Sequence, residues 1–270
     1  MRVLYLGDIM AEPGITLIER QLPKLRQELH ADVVIAQAEN VSQGKGITKK
    51  DFARLRAAGI DFCTGGNHSG FRPEIYDDLN DPQSPIIRPA NYPKGTAGLG
   101  YKYLTTPHGR VLVVSLLGQI VGKDADVPVQ NPLRTIDTIL ATELANNTPA
   151  AIVVNFHGDF SSEKVVIGHY LDGRASMVVG DHWHVPTADA SVLPKGTAHM
   201  TDVGMCGVLH SSLGVSFDSI IPRWRDGKQT RNHLETAGPR QINGLLVNIQ
   251  SNGLAKDCEP IRRIYADERP

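Results

Sequence analysis

Four short segments of this chain concentrate metal-binding side chains: Gly7-Asp8, Glu39-Asn40, Gly65-Gly66-Asn67-His68 and His182-Trp183-His184. A fifth, Asn155-Phe156-His157, adds another imidazole. Carboxylates, amides and imidazoles hold hard or borderline cations through oxygen and nitrogen. Each segment follows a strand-like apolar run. In open α/β sheets such side chains gather beyond the carboxyl ends of strands. Taken singly, each has an ordinary structural role: Asp8 as a helix cap, Glu39-Asn40 as a turn, Asn67 as an Asx-turn residue, His157 as a buried, hydrogen-bonded histidine. Five of them in one chain favour the ligand reading. His182 and His184 stand at i and i+2. In an extended segment both rings point to one side and Trp183 to the other.

One ion takes about four to six donors. Asp8, Glu39, Asn40, Asn67, His157, His182 and His184 exceed that number once water is counted. Two ions sharing a bridging carboxylate fit better. A pair roughly 3.5–4 Å apart clamps the attacking and leaving oxygens of a phosphoryl displacement. No cysteine stands among these residues, so iron, manganese or zinc suits the set better than a soft metal. The implied chemistry is metal-assisted hydrolysis.

The elements that must position these groups follow from periodicity. Val3-Leu6 reads as a strand, and helical spacing runs from Ile15 to Leu29. Val33-Ala36 is a second strand, and Thr48-Lys49-Lys50-Asp51 resembles a capping box opening a helix through Ala58. Ile60-Thr64 is a third strand. This alternation indicates a largely parallel sheet covered by helices. Tyr101-Thr105 and Val111-Leu116 flank a hairpin turn at Pro107-His108-Gly109. Asn131 to Leu144 is a helix with Asn131 as cap and Pro132 at its first position. Ala151-Val154 is a strand, Ser161 to Leu171 a helix, Met177-Val179 a strand, and Leu245-Ile249 opens a C-terminal hairpin. The expectation is one α/β domain over residues 1–270, with mixed strands in two packed sheets and helices outside.

Composition sets bounds. The chain has 270 residues, 41% of them hydrophobic and 21% charged, which supports a substantial core in an ordinary soluble protein. A net charge of -1 argues against a broad basic surface for duplex nucleic acid. No apolar run reaches membrane-spanning length. The N-terminus reads as a strand without a signal-peptide pattern, so a cytoplasmic location and no membrane partner are expected. Cys63, Cys206 and Cys258 are far apart and form neither a disulfide framework nor a zinc-ribbon pattern. Cys63 is expected in the core, and Cys206 lacks a dedicated base nearby. Gly44-Lys45-Gly46 lacks P-loop spacing and reads as a rim loop. Arg88 is either a phosphate-facing group or part of a salt bridge. Asp202 either supports a ligand from behind or caps a turn.

Gly7-Asp8-Ile9, Ala38-Glu39-Asn40-Val41, Gly66-Asn67-His68 and His182-Trp183-His184-Val185-Pro186-Thr187-Ala188-Asp189 resemble the YmdB-like branch of the calcineurin-like metallophosphoesterases. The likeness extends through Arg88-Pro89-Ala90-Asn91-Tyr92, Phe156-His157, Ser162-Glu163-Lys164, Gly168-His169-Tyr170-Leu171 and Thr201-Asp202-Val203-Gly204-Met205. It implies a metallophosphoesterase-like two-sheet β-sandwich flanked by helices, a four-layer αββα arrangement. It also implies hydrolysis of 2′,3′-cyclic nucleotides to 3′-nucleotides and a homodimer or homotetramer. Carried over, Asp8, Glu39, Asn40 and His184 hold one ion. Glu39, Asn67, His157 and His182 hold the other, and Glu39 replaces the bridging aspartate of the wider superfamily. His68 is the catalytic histidine that binds no metal. A crowding argument agrees: backbone neighbours cannot easily aim at one ion together, so Asn67 goes to the metal and His68 to the leaving group. The flanks depart from the family pattern at Ser69-Gly70, Gly158-Asp159, Asp181 and Trp183.

The combined expectation is a phosphodiesterase with two divalent or trivalent transition-metal ions, in which hydroxide between the metals attacks a small cyclic nucleotide and His68 assists the leaving group. Competing readings are a phosphomonoesterase or nuclease using the same residues, or a metal-binding regulatory protein with little turnover.

Overall fold

The computed structural model describes residues 1–122 and 128–266. The amino-terminal half builds strands β1 (Arg2–Leu6), β2 (Asp8–Ile9), β3 (Val33–Gln37) and β4 (Phe62–Thr64), with helices α1 (Ala11–Glu28), α2 (Lys49–Ala57) and α3 (Tyr76–Asn80). Next come β5 (Tyr101–Thr106), β6 (Gly109–Leu117), α4 (Pro132–Leu144), β7 (Ala151–His157), α5 (Ser161–Tyr170) and β8 (Met177–Asp181). Short strands β9 (Ser191–Val192), β10 (Ala198–Met200) and β11 (Met205–Val208) precede α6 (Phe217–Asp226). The long hairpin β12 (Arg240–Ile249) and β13 (Ala255–Tyr265) closes the described chain.

The strands form two sheets. The first runs β2-β11-β12-β1-β3-β4, with β13 added to β12; the second runs β5-β6-β7-β8-β10-β9. In the first, β1, β3 and β4 are parallel. In the second, β6, β7, β8 and β10 are parallel. The two parallel blocks are why the polar strand ends collect on one rim.

Side-chain alternation along β1 shows the layering directly. Val3 and Tyr5 pack with Val111, Val153 and Val179 of the second sheet, while Leu4 and Leu6 pack with Ile15, Ile18 and Leu22 of α1. A strand buried on both faces does this because successive side chains point to opposite sides. The outer face of the second sheet, through Leu112, Val114 and Val154, is covered by Ile136 and Leu140 of α4 and Ile167 of α5. The result is the four-layer αββα sandwich expected from the resemblance.

Local signals fix several boundaries. Thr48 caps α2, accepting the Asp51 N–H at 3.1 Å. Asn131 caps α4 through the Arg134 N–H at 3.1 Å, with Pro132 in the first turn. Helix α1 begins at Ala11, four residues before the expected Ile15. Pro13 falls in its first turn, where a missing N–H breaks no intrahelical bond. No helix among the described residues is long and apolar enough to cross a membrane.

Gly7 joins β1 to Asp8 where the backbone of Gly204 crosses. A Cβ at Gly7 would lie 2.0 Å from the Gly204 carbonyl oxygen. Gly7→Ala is therefore expected to destabilise the fold by about 1–3 kcal/mol, the usual cost of overpacking. Urea unfolding checks this: the midpoint should fall with an unchanged slope.

Candidate metal centre

The seven expected donors come together. Asp8 opens β2, Glu39 and Asn40 follow β3, Asn67 follows β4, His157 ends β7, and His182 and His184 follow β8. Asp8, Glu39 and His157 are essentially fully buried; His182, Asn67 and His68 are partly open. His157 Nε2 lies 3.1 Å from Glu39 Oε1, 3.0 Å from Asn67 Oδ1 and 2.9 Å from His182 Nδ1. On the other side of Glu39, Asn40 Nδ2 donates to Asp8 Oδ1 at 2.9 Å and lies 3.3 Å from His184 Nε2. Glu39 reaches both groups, since Asn40 Nδ2 is also 3.4 Å from its Oε1. Gly66 allows this approach: a Cβ there would lie 2.3 Å from Glu39 Oε2 and 2.5 Å from the His157 ring.

The electrostatics call for positive charge at this point. Burial pushes the Glu39 carboxyl up, but His157 and His68 outweigh it and hold it well below the ordinary carboxylate range. Asp8 behaves alike: burial raises it, and His184 brings it down further. Burial lowers His157, yet Glu39 and Asp181 carry it well above a free imidazole. His182 moves the other way, down to about 4, through burial and then the neighbouring His157.

The donor set fits metal ions. Asp8 Oδ2 is buried and meets no hydrogen-bond donor among the described residues. Glu39 Oε1 and Asn67 Oδ1 both lie at hydrogen-bond distance from His157 Nε2. Glu39, His157 and His182 offer ligand atoms within 4.8 Å of one another, as do Asp8, His157 and Asp181. Oxygen and nitrogen donors without sulfur suit a borderline transition metal.

Two sequence expectations are corrected. The segment from His182 to His184 is a bend, not an extended strand: φ is 110° at His182 and 61° at His184. Both rings reach the cluster through these unusual backbone angles. Trp183 lies partly buried between them, its ring 3.9 Å from Lys164 Nζ and its indole N–H donating to the Asp159 carbonyl. Among the described residues Arg88 makes no salt bridge, and it lines the cavity beside Asn67 and His68. Its guanidinium donates to the carbonyls of Pro89, Thr96 and Ala97 and braces their loop.

Other expectations for these segments agree with the geometry. Asp202 binds both this segment's backbone and the turn after itself: Oδ2 accepts from Lys164 Nζ at 2.8 Å and from the Trp183 N–H at 2.9 Å, and Oδ1 from the Gly204 N–H at 2.8 Å. Cys63 and Cys206 are buried, and burial pushes both thiols up to about 12.

The residue that sequence reading passed over is Asp181, taken there only as an altered flank. Its Oδ1 accepts from His157 Nδ1 at 2.6 Å, and its Oδ2 accepts from the Tyr5 hydroxyl and the Asn155 amide. Its signal was a carboxylate closing the wholly apolar run Met177-Val178-Val179-Gly180. A carboxylate on the far nitrogen orients a ligating imidazole and raises its basicity. Asp159 was also missed as a neighbour of His182, at 3.3 Å.

The fold and the residue cluster define a metallophosphoesterase-like α/β sandwich. A 5′-nucleotidase from Candida albicans shares this fold at a TM-score of 0.55 and 14% identity, over 97% of this chain and 50% of that one. The chain belongs to the YmdB-like protein family, whose model matches residues 4–261. It is 36% identical to the 2′,3′-cyclic-nucleotide 2′-phosphodiesterase of Bacillus subtilis, over 99% of this chain and 98% of that protein. A crystal structure described as a novel phosphatase from Mycoplasma pneumoniae superposes with a TM-score of 0.90 at 28% identity, covering 99% of this chain and 95% of that one.

Asp181→Asn should weaken metal binding about 10–100-fold, the usual effect of removing an outer partner of a metal-bound histidine. Competition against a chromophoric chelator measures it. Unchanged affinity would mean that Asp181 serves packing alone.

Proposed function

We propose that this protein is a metal-dependent phosphoric diester hydrolase that opens 2′,3′-cyclic nucleotides to nucleoside 3′-phosphates. The observation that carries the reading is the position of Glu39 between two donor groups, with His68 beside it. The 36% identity to a 2′,3′-cyclic-nucleotide 2′-phosphodiesterase over nearly the whole chain supports the substrate class. Asp8, Glu39, Asn40 and His184 would hold one ion, and Glu39, Asn67, His157 and His182 the other, with iron or manganese preferred and zinc possible. Bound there, the ions supply an activated water and stabilise charge on the phosphoryl oxygens. The chain acts as one domain in the cytoplasm, as a homodimer or homotetramer.

His68 is held for its task by contacts with Glu39 and Asn40. Its N–H donates to Glu39 Oε2 at 2.9 Å, and its Nδ1 lies 3.0 Å from Asn40 Oδ1 and 3.4 Å from Glu39 Oε1. With Nδ1 turned toward Asn40 and Glu39, Nε2 is the ring nitrogen assigned to the leaving oxygen. Ring opening forms a bond from a water oxygen to phosphorus, a water proton passing to solvent, and breaks the bond from phosphorus to O2′. His68 gives its Nε2 proton to O2′ as that bond breaks.

His68→Ala should retain its metals and lose about 10²–10⁴-fold in kcat on 2′,3′-cyclic AMP. The loss should be smaller on bis(p-nitrophenyl) phosphate, whose leaving group needs little protonation. Steady-state kinetics with metal analysis on the same samples decides this. Metal loss in the variant would make His68 a ligand instead. Phosphorus NMR of the products should show the 3′-phosphate; turnover of monoesters alone would point to a phosphomonoesterase.

Glu39→Gln should release both ions together, because one carboxylate serves both. Elemental analysis of the reconstituted protein should give about two ions per chain for the wild type. Loss of a single ion from the variant would place Glu39 at one site only.

A further inference from the structure

Two cavities meet at His68. The smaller, about 330 Å³, is bounded by four of the candidate donors, Glu39, Asn40, His182 and His184, and by His68. The larger, about 600 Å³, is also lined by Asn67 and His68, then by Phe71, Tyr92, Leu79 and Lys45. No acidic side chain lines the larger cavity among the described residues.

The aromatic walls are tied to the catalytic turn. The Phe71 N–H donates to the His68 carbonyl at 2.9 Å. The Tyr92 hydroxyl donates to the Gly66 carbonyl at 3.1 Å, and Arg88 braces the loop that follows Tyr92. Phe71 is 51% exposed although it is wholly apolar, and the Lys45 ammonium lies 4.7 Å from its ring centroid. An exposed aromatic ring at the mouth of a polar site, beside a cation, suits a planar heteroaromatic group on an anionic molecule.

The chemistry of a cyclic nucleotide requires such a space. Its phosphate bridges O2′ and O3′, and its base leaves C1′ of the same ribose. With phosphate at the donor cluster and O2′ at His68, the base must extend about one sugar width beyond His68. The larger cavity begins there. We propose that this cavity receives the nucleobase of the substrate, with Phe71 and Tyr92 as its aromatic walls. The proposal rests on the reading of the donor cluster as a cyclic-nucleotide site.

Discrimination between substrates with and without a base tests it. The metal-loaded wild type, Phe71→Ala, Phe71→Trp and Tyr92→Leu are assayed on 2′,3′-cyclic AMP and on glycerol 1,2-cyclic phosphate, which has the same five-membered ring and no base. In Phe71→Ala the ratio of kcat/KM for the two substrates should shift about tenfold to a hundredfold against cyclic AMP, mostly through KM, the range for one lost base–aromatic stack. Phe71→Trp should restore the ratio. Thermal melts establish that each variant is folded. An unchanged ratio in both Phe71→Ala and Tyr92→Leu overturns the proposal. If the wild type hydrolyses neither diester, the proposed activity fails and the cavity is judged separately, by titrating adenosine into metal-free protein. Saturable binding that weakens in Phe71→Ala then supports a base site. Absent binding, or binding indifferent to Phe71, rejects it.

Discussion

The hydrogen bond from His157 Nδ1 to Asp181, at 2.6 Å, decides which ring nitrogen turns toward Glu39. With Nδ1 donating, Nε2 is the nitrogen turned to a space bounded by Glu39 Oε1 and Asn67 Oδ1. Asp181 is fully buried, and burial raises its pKa. A buried carboxylate is tolerable only when its oxygens are occupied. Tyr5 of β1, Gln37 of β3 and Asn155 of β7 all donate to it. This polar network sits at the end of the apolar layer between the sheets. Satisfied networks in a medium of low dielectric constant are stiff, because each bond strengthens its neighbours.

A second device holds the other pair of histidines. Positive φ at His182 and His184 costs of the order of 1–3 kcal/mol each and persists only where the surroundings impose it. The imposing group is Asp202, which receives the Trp183 N–H on one oxygen and the Gly204 N–H on the other. Lys164 balances its charge, and both side chains are excluded from solvent. A buried ion pair returns little net stability after desolvation. Here it anchors a strained backbone that aims two imidazoles to either side of Glu39.

Much of this could be read from the chain itself. Strands long enough to show a period of two, and helices such as α2 and α4 with capped starts, were evident from their residues. The seven donors were evident because each ends an apolar run. The two-residue strands β2 and β9 were not, since two residues carry no period. The bend at His182 was hidden because a left-handed histidine has no local signature; its cause is Asp202, nineteen residues beyond Trp183 in the chain. Asp181 was misjudged because its partners Tyr5, Gln37 and Asn155 are remote in sequence. Lys164 looks like a surface residue on an amphipathic helix until the fold buries it.

The donors divide between the two halves of the sandwich. Asp8, Glu39, Asn40 and Asn67 extend from the first sheet, and His157, His182 and His184 from the second. Away from this rim and the Asp181 network, the sheets touch largely through apolar side chains, which resist separation but permit small sliding motions. On the proposed reading, ions held by this cluster rivet the two sheets at one rim, with bonds that tolerate little shear. Metal release and loosening of the sandwich then become one linked equilibrium, so the same ions that serve the reaction also set the mechanical stiffness of the fold.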